Sequence, residues 1–190
     1  MKRWQLLILV ISVTAMALPG IAQANLLKNP GFEEGQYADD QSVPSYWENE
    51  RSGGASWHSW KSDGQQHSGI KHIAVGGMAS NDWAYYKQNI SDIKPGMAYV
   101  FTAWVATEEW QPPASPAAYL RVEFKDNKGA ILRTDKLAVL TDQSTAWALK
   151  TLITDTAPSG ATNADFMCYA KGKGTVLFDD VSVEARPKGK

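Results

Sequence analysis

The sequence predicts an all-β chain, a β-sandwich or jelly roll, on three observations. Seven short runs rich in β-branched and aromatic residues follow one another after residue 24, each bounded by Gly, Pro, Asn or Asp. Within the clearest runs, apolar and polar residues alternate with the period of two that turns one face to a core. No stretch carries a convincing helical period, and the connection over residues 135–144 has room for a helical turn and no more.

The chain opens with Lys2 and Arg3, continues through an almost wholly apolar run from Leu6 to Val13, breaks at Pro19 and Gly20, and reaches Ala22-Gln23-Ala24. This pattern predicts a signal peptide over residues 1–24 and export to the periplasm or beyond the cell. No later run approaches the roughly 18 apolar residues of a spanning helix, so no membrane insertion is expected after cleavage. Residues 25–185 are expected to form one domain, and the basic end over 186–190 a disordered tail. Of 19 Lys and Arg the leader takes two and of 20 Asp and Glu none, which leaves a net charge of −3 after residue 24. Such a balance gives nucleic acid no electrostatic hold. Cys168 is the only cysteine. An exported chain of this size must therefore be held by its core or a metal rather than by disulfides, and the thiol is expected to be inert.

The strand runs fall at residues 70–75, 83–90, 98–106, 119–125, 147–154, 165–170 and 175–183. In "AYVFTAWVA" the alternation puts Tyr99, Phe101, Ala103 and Val105 on one side and Thr102 and Trp104 on the other. In "YLRVEFK", Leu120, Val122 and Phe124 point inward and leave Tyr119, Arg121 and Glu123 outside. "KPGM", "DNKG" and "KGKG" mark turns, and "EEWQPPASPAAY" is one long loop stiffened by prolines.

Both ends of the domain set carboxylates against apolar residues. In the last run Asp179 shares its parity with Leu177, Val181 and Val183, whereas Asp180 goes with Val176 and Phe178, so a bulge would decide which one turns inward. Near the start Glu33 follows Phe32. Two such carboxylates with backbone carbonyls would make an oxygen-only site suited to a hard ion such as Ca2+. Equally, they could be surface acids flanking ordinary strands.

Taken in order, "NLLKNPGFEEG", "SVPSYW", "HSGIKHIAV", "WAYYKQNI", "KPGMAYVFTAWV" and "VLFDDVSVE" resemble the carbohydrate-binding modules of the family 4, 9, 16 and 22 type. The resemblance spans about 160 residues. It implies a jelly-roll β-sandwich of two antiparallel sheets, of the galactose-binding-domain type, with a structural calcium joining the first and last strands. It further implies that Glu33 of "GFE" and Asp179 of "FDD", beside Asp180, supply side-chain ligands, and that Trp47 is a framework residue.

Seven tryptophans follow the leader, too many for one core, and a sugar offers flat C–H faces on which exposed aromatics stack. Trp57 and Trp60 stand in the polar "SGGASWHSWKSDG". Trp83 and Tyr85 share one face of their strand, opposite Tyr86, Gln88 and Ile90, and either set could be the exposed one. Trp104 would lie beside Arg121 and Glu123 if their strands were neighbours, and Trp110 rides the proline-rich loop. Trp47 and Trp147 are expected to be structural. The expected protein is thus a secreted, non-catalytic binder of poly- or oligosaccharide, acting alone or beside a separate glycan-active enzyme. Two other readings compete with it, an adhesion or protein-interaction module on the same fold and a small glycan-active hydrolase. Against the last, no E-x-D-x-x-E strand motif and no G-x-S-x-G turn is present, and His58, His67 and His72 lack metal-ligand spacing.

Overall fold

The computed structural model describes residues 24–36, 43–53, 56–111, 118–139 and 144–187, and of Trp57, Trp110 and Gln111 the backbone alone. These residues form β1 (Gly35–Gln36), β2 (Val43–Pro44), β3 (Glu48–Arg51), β4 (Ser56–Lys61), β5 (His72–Gly77) and β6 (Trp83–Ser91). There follow β7 (Met97–Gln111), β8 (Ala118–Lys125), β9 (Ile131–Ala138), β10 (Ala148–Ile153), β11 (Asn163–Lys171) and β12 (Lys173–Pro187). Apart from the small β1-β2 pair, they make two five-stranded sheets. The front sheet runs β3-β6-β11-β8-β9 and the back sheet β10-β7-β12-β5-β4. Every pairing is antiparallel, so the predicted jelly-roll sandwich is the observed one.

The inner faces follow the alternation. Tyr99, Phe101, Ala103 and Val105 of β7 and Leu120, Val122 and Phe124 of β8 are buried between the sheets, as their parity requires. Phe101 and Phe166 meet edge to face at 5.5 Å across the sandwich. Trp47 is buried as expected, its ring 4.9 Å from Phe32 and its Nε1 donating to the carbonyl of Asn29. Cys168 lies wholly inside, where burial pushes its thiol far above the usual range.

In β12 a register shift between Asp179 and Ser182, with Asp180 at φ 44°, inserts the bulge that parity left open. Val176 and Phe178 face the main core before it, and Val181 and Val183 after it. Leu177 and Asp179 therefore point the other way, which corrects the face expected for them. Leu177 joins Ala74, Ala106 and the half-buried Trp147 on the outside of the back sheet.

β12 also holds the start of the domain. Asn25 donates its amide to the carbonyl of Val181 and accepts from the N–H of Val183, Leu26 N–H donates to Val183 O, and Val181 N–H to Pro30 O. The strand extends to Pro187, so Arg186 and Pro187 are ladder residues and not tail. The rest of the tail, 188–190, and the leader over 1–23 lie outside the described residues. β9 replaces part of the connection expected over 135–144, and β3 and β4 are strands beyond the seven expected runs.

Candidate functional site

The outer face of the front sheet collects the side chains that alternation excludes from the core. β6 contributes Trp83, Tyr85, Lys87 and Asn89, and β11 contributes Asp165, Met167, Tyr169 and Lys171. β8 adds Tyr119, Arg121, Glu123 and Lys125. Register sets Tyr85, Tyr169 and Tyr119 side by side on three adjacent strands. The result is a row of rings turned nearly the same way. Trp83 and Tyr85 lie 5.7 Å apart at 7° and Trp83 and Tyr169 6.4 Å apart at 18°. Tyr85 and Tyr169 are separated by 6.2 Å at 25°, and Tyr119 closes the row 5.9 Å from Tyr169, its ring tilted by 44° to that of Tyr169.

Charged groups form the floor beside this row. Asp165 is 2 % exposed and accepts from Asn89 Nδ2 at 2.7 Å and Lys125 Nζ at 2.5 Å, with Lys87 Nζ at 3.6 Å. Burial alone would raise its pKa. The bonds from Asn89 and Lys125 and the charges of Lys125 and Lys87 outweigh burial and hold the carboxyl below its ordinary value. Glu123, also buried, pairs with Arg121, and Tyr85 donates its hydroxyl to Glu50. Burial first, and then that acceptor, raise the Tyr85 pKa far above the usual range, so the phenol stays protonated. At one end Tyr119, Arg121, Thr134, Lys136, Tyr169 and Lys171 enclose an open cavity of about 370 Å³. Flat ring faces beside fixed donors and acceptors suit a ligand with apolar faces and polar rims.

Of the residues singled out from sequence, Trp83, Tyr85, Arg121 and Glu123 meet on this face. Tyr119, Tyr169, Lys87, Asp165 and Lys136 were not singled out as site residues. For Tyr119 the signal was available, since it shares the outward parity of Arg121. Tyr169 lies in "NADFMCYAK", where apolar residues occupy both parities and hide the outer face.

Two of the sequence expectations are corrected. Trp60 is 6 % exposed and donates Nε1 to the carbonyl of Phe32 at 2.6 Å, so it is a core residue and no exposed stacking ring. Its polar sequence neighbours belong to the other face of β4. Trp104 is on β7 in the back sheet and does not neighbour Arg121 and Glu123. Its ring stacks on His67 at 3.9 Å and 15°. The side chains of Trp57 and Trp110 lie outside the described residues. The backbone of Trp57 pairs with Gly76 in the back sheet, and Trp110 belongs to the end of β7.

The three carboxylates at the chain ends all hold the segment over residues 62–71. Glu33 accepts from the N–H groups of Ile70 at 3.1 Å and Lys71 at 3.2 Å. Asp179 accepts from His67 N–H at 2.9 Å, Ser68 N–H at 3.1 Å and Asp180 N–H at 2.7 Å. Asp180 meets His67 Nδ1 at 2.6 Å and accepts from Ser68 Oγ at 2.9 Å. Gly69 stands at φ 61°, and a Cβ there would sit 2.0 Å from Glu33 Oε1, so this position needs glycine. Asp179 is fully buried, and burial pushes its pKa up to about 6 against the pull of the N–H donors from Ser68, Asp180 and His67. It has no Lys or Arg partner among the described residues. The oxygen-rich donor set and this uncompensated carboxylate suit a hard cation. Because no three His, Cys, Asp or Glu side chains among the described residues stand at metal-holding spacing, such an ion would need backbone carbonyls as well.

No family model and no curated protein matches the chain. Its fold is that of several solved structures. The enzymatically active domain of tailspike protein 4 of bacteriophage CBA120 superposes with a TM-score of 0.63 at 16 % identity, over 85 % of this chain and 21 % of the tailspike chain. The protein thus spans about a fifth of that molecule. The CBM22-1 xylan-binding domain from Paenibacillus barcinonensis gives 0.61 at 16 % identity, over 88 % of this chain and 98 % of the other. TmCBM61, in complex with β-1,4-galactotriose, gives 0.52 at 17 % identity, over 84 % and 97 %. The chain therefore has the jelly-roll fold of carbohydrate-binding modules.

Proposed function

We propose that the protein is an exported, non-catalytic binder of poly- or oligosaccharide whose site is the outer face of the front sheet. The observation that carries this reading is the row of near-parallel rings of Trp83, Tyr85 and Tyr169, continued by Tyr119 and bordered by Arg121, Glu123, Asn89 and Lys87. Sugar rings stack their C–H faces on such a row while their hydroxyls meet the charged and amide groups. Likeness of fold supports the reading, since two neighbours are named for xylan binding and for a galactotriose complex. That the sequence holds no E-x-D-x-x-E strand motif supports the non-catalytic part of the reading. The leader pattern over 1–24 supports export to the periplasm or beyond. A structural Ca2+ held by backbone carbonyls together with one or two of the carboxylates of Glu33, Asp179 and Asp180 would supply the cation that buried Asp179 lacks and fasten the 62–71 segment to both chain ends.

Affinity electrophoresis against a panel of polysaccharides tests the site. Tyr169→Ala and Trp83→Ala should each weaken binding by roughly 5- to 150-fold, since a stacked aromatic contributes about 1–3 kcal/mol. Trp104→Ala, on the other sheet, should leave affinity unchanged. Retention of full affinity in both front-sheet variants, or no binding to any polysaccharide, would refute the proposal. Product release from the same panel would refute its non-catalytic part.

A further inference from the structure

The cations of the front face are not distributed like its carboxylates. Lys87 meets Glu48 at 3.2 Å and Asp165 at 3.6 Å, and Lys125 meets Asp165 at 2.5 Å. Those four groups largely compensate one another, and Glu50 is engaged by the hydroxyl of Tyr85. The cavity at the β8-β9-β11 end differs. Its lining brings together Arg121, Lys136 and Lys171 with two tyrosines and a threonine, and holds no carboxylate. Lys136 and Lys171 form no ion pair among the described residues. The Lys136 ammonium instead lies 5.1 Å from the centre of the Tyr119 ring, and the Arg121 guanidinium 5.9 Å from that of Tyr169. Arg121 is partly answered by Glu123, yet its Nε is buried without an acceptor. A chain whose charge after the leader is −3 thus keeps a net positive cluster, Lys136 and Lys171 beside the paired Arg121, at one end of its ring row.

We infer that this end of the face selects an acidic glycan, one bearing a carboxylate or a sulfate on the sugar ring. The inference rests on the glycan-binding reading of the same face. The hydroxyls of Tyr119, Thr134 and Tyr169 can donate to or accept from any sugar, but the cationic excess of Arg121, Lys136 and Lys171 is answered only by an anionic one. An anionic substituent lowers the repulsion among Arg121, Lys136 and Lys171 and accepts their N–H groups, while the ring carrying it rests on Tyr119 or Tyr169. The volume of about 370 Å³ falls in the range of small-ligand sites, roughly 300–1,000 Å³.

The test measures affinity of the full chain for five polymers. These are polygalacturonate, the same polymer after carboxyl reduction, chondroitin sulfate, xylan and β-1,4-galactan. At least one acidic polymer should bind about tenfold or more tightly than the neutral ones. Raising salt from low to about 0.5 M should remove that advantage, because exposed charges are screened. If polygalacturonate is the tight ligand, carboxyl reduction should abolish its advantage; if chondroitin sulfate is, its desulfated form, which keeps the glucuronate carboxylate, should lose the advantage where the anion is a sulfate and keep it where the anion is a carboxylate. The double variant Lys136→Gln and Lys171→Gln should lose about tenfold for the acidic ligand and keep its affinity for neutral ones, whereas the double Arg variant should bind like the parent. Equal binding of acidic and neutral polymers, or equal loss for both in the Gln variant, overturns the acidic preference and leaves the glycan reading standing. Absence of binding to all five overturns both.

Discussion

Asp165 shows how much a single side chain can organise on a solvent-facing sheet. It is buried on the outer face, joins β6 to β8 through Asn89 and Lys125, and sits directly across from Glu123 in register. Asp165→Ala should lower stability by about 1.5–3 kcal/mol, the range for hydrogen bonds to charged groups, and denaturant titration would read it. Because its folded pKa is depressed, its contribution is fully present above the unfolded value near 3.8 and is lost as pH falls through the lower folded value. Asp165→Asn should accordingly flatten the acid side of the stability profile below about pH 4, and an unchanged acid limb would contradict this account. The aspartate was silent in the sequence because "NADFM" places it among apolar residues of both parities. Trp60 misled for the opposite reason. Its neighbours Ser59 and Lys61 are polar, but its indole packs against Gly35 so closely that a Cβ there would lie 2.5 Å from the ring. That contact joins residues far apart in the chain, which no local pattern encodes.

At the scale of elements, the 62–71 segment is a strap laid over the back sheet. Trp104 stacks on its His67, Trp147 donates Nε1 to the carbonyl of Gln65 at 2.9 Å, Glu33 and Asp179 accept its backbone N–H groups, and Asp180 meets the side chains of His67 and Ser68. Asp179→Ala or Trp104→Ala should raise hydrogen exchange in this segment well before it rises in β7, since both would remove contacts that hold the strap. If Ca2+ is bound there, adding EDTA to the calcium-loaded protein should lower Tm by about 5–10 °C, as expected for an ion near 100 times its Kd that binds the folded state alone. An identical melting curve with and without chelator would exclude the ion. "GFE", "HSG" and "FDD" were legible as places that matter, and the parity of "VLFDDVSV" even located the question. Its answer was a bulge, and a bulge is set by pairing with β7 rather than by the strand's own residues. β9 escaped notice because it is an edge strand, whose Arg133, Asp135 and Lys136 blunt the apolar pattern that marks inner strands.

For the whole molecule, the class was legible and the wiring was not. Alternation and turn residues are local and announce strands. The order β10-β7-β12-β5-β4 depends on contacts between distant segments, and the ordered resemblance to known modules gave the two antiparallel sheets without that order. Cohesion comes from the shared core without cross-links, as the lone Cys168 implies. A reductant should therefore leave Tm unmoved, and a thiol reagent should label Cys168 only as fast as the protein unfolds, because its thiol is both buried and protonated. Rapid labelling of the native protein would contradict the placement of β11. The stitching of Asn25 to β12 has a further consequence, which concerns time. Its partners Val181 and Val183 lie 156 and 158 positions later. At a ribosomal rate of about 5–20 residues per second they are made roughly 8–30 s after it. Throughout that interval Asn25 lacks the backbone it closes on, so the start of the domain is fastened only once β12 has been made.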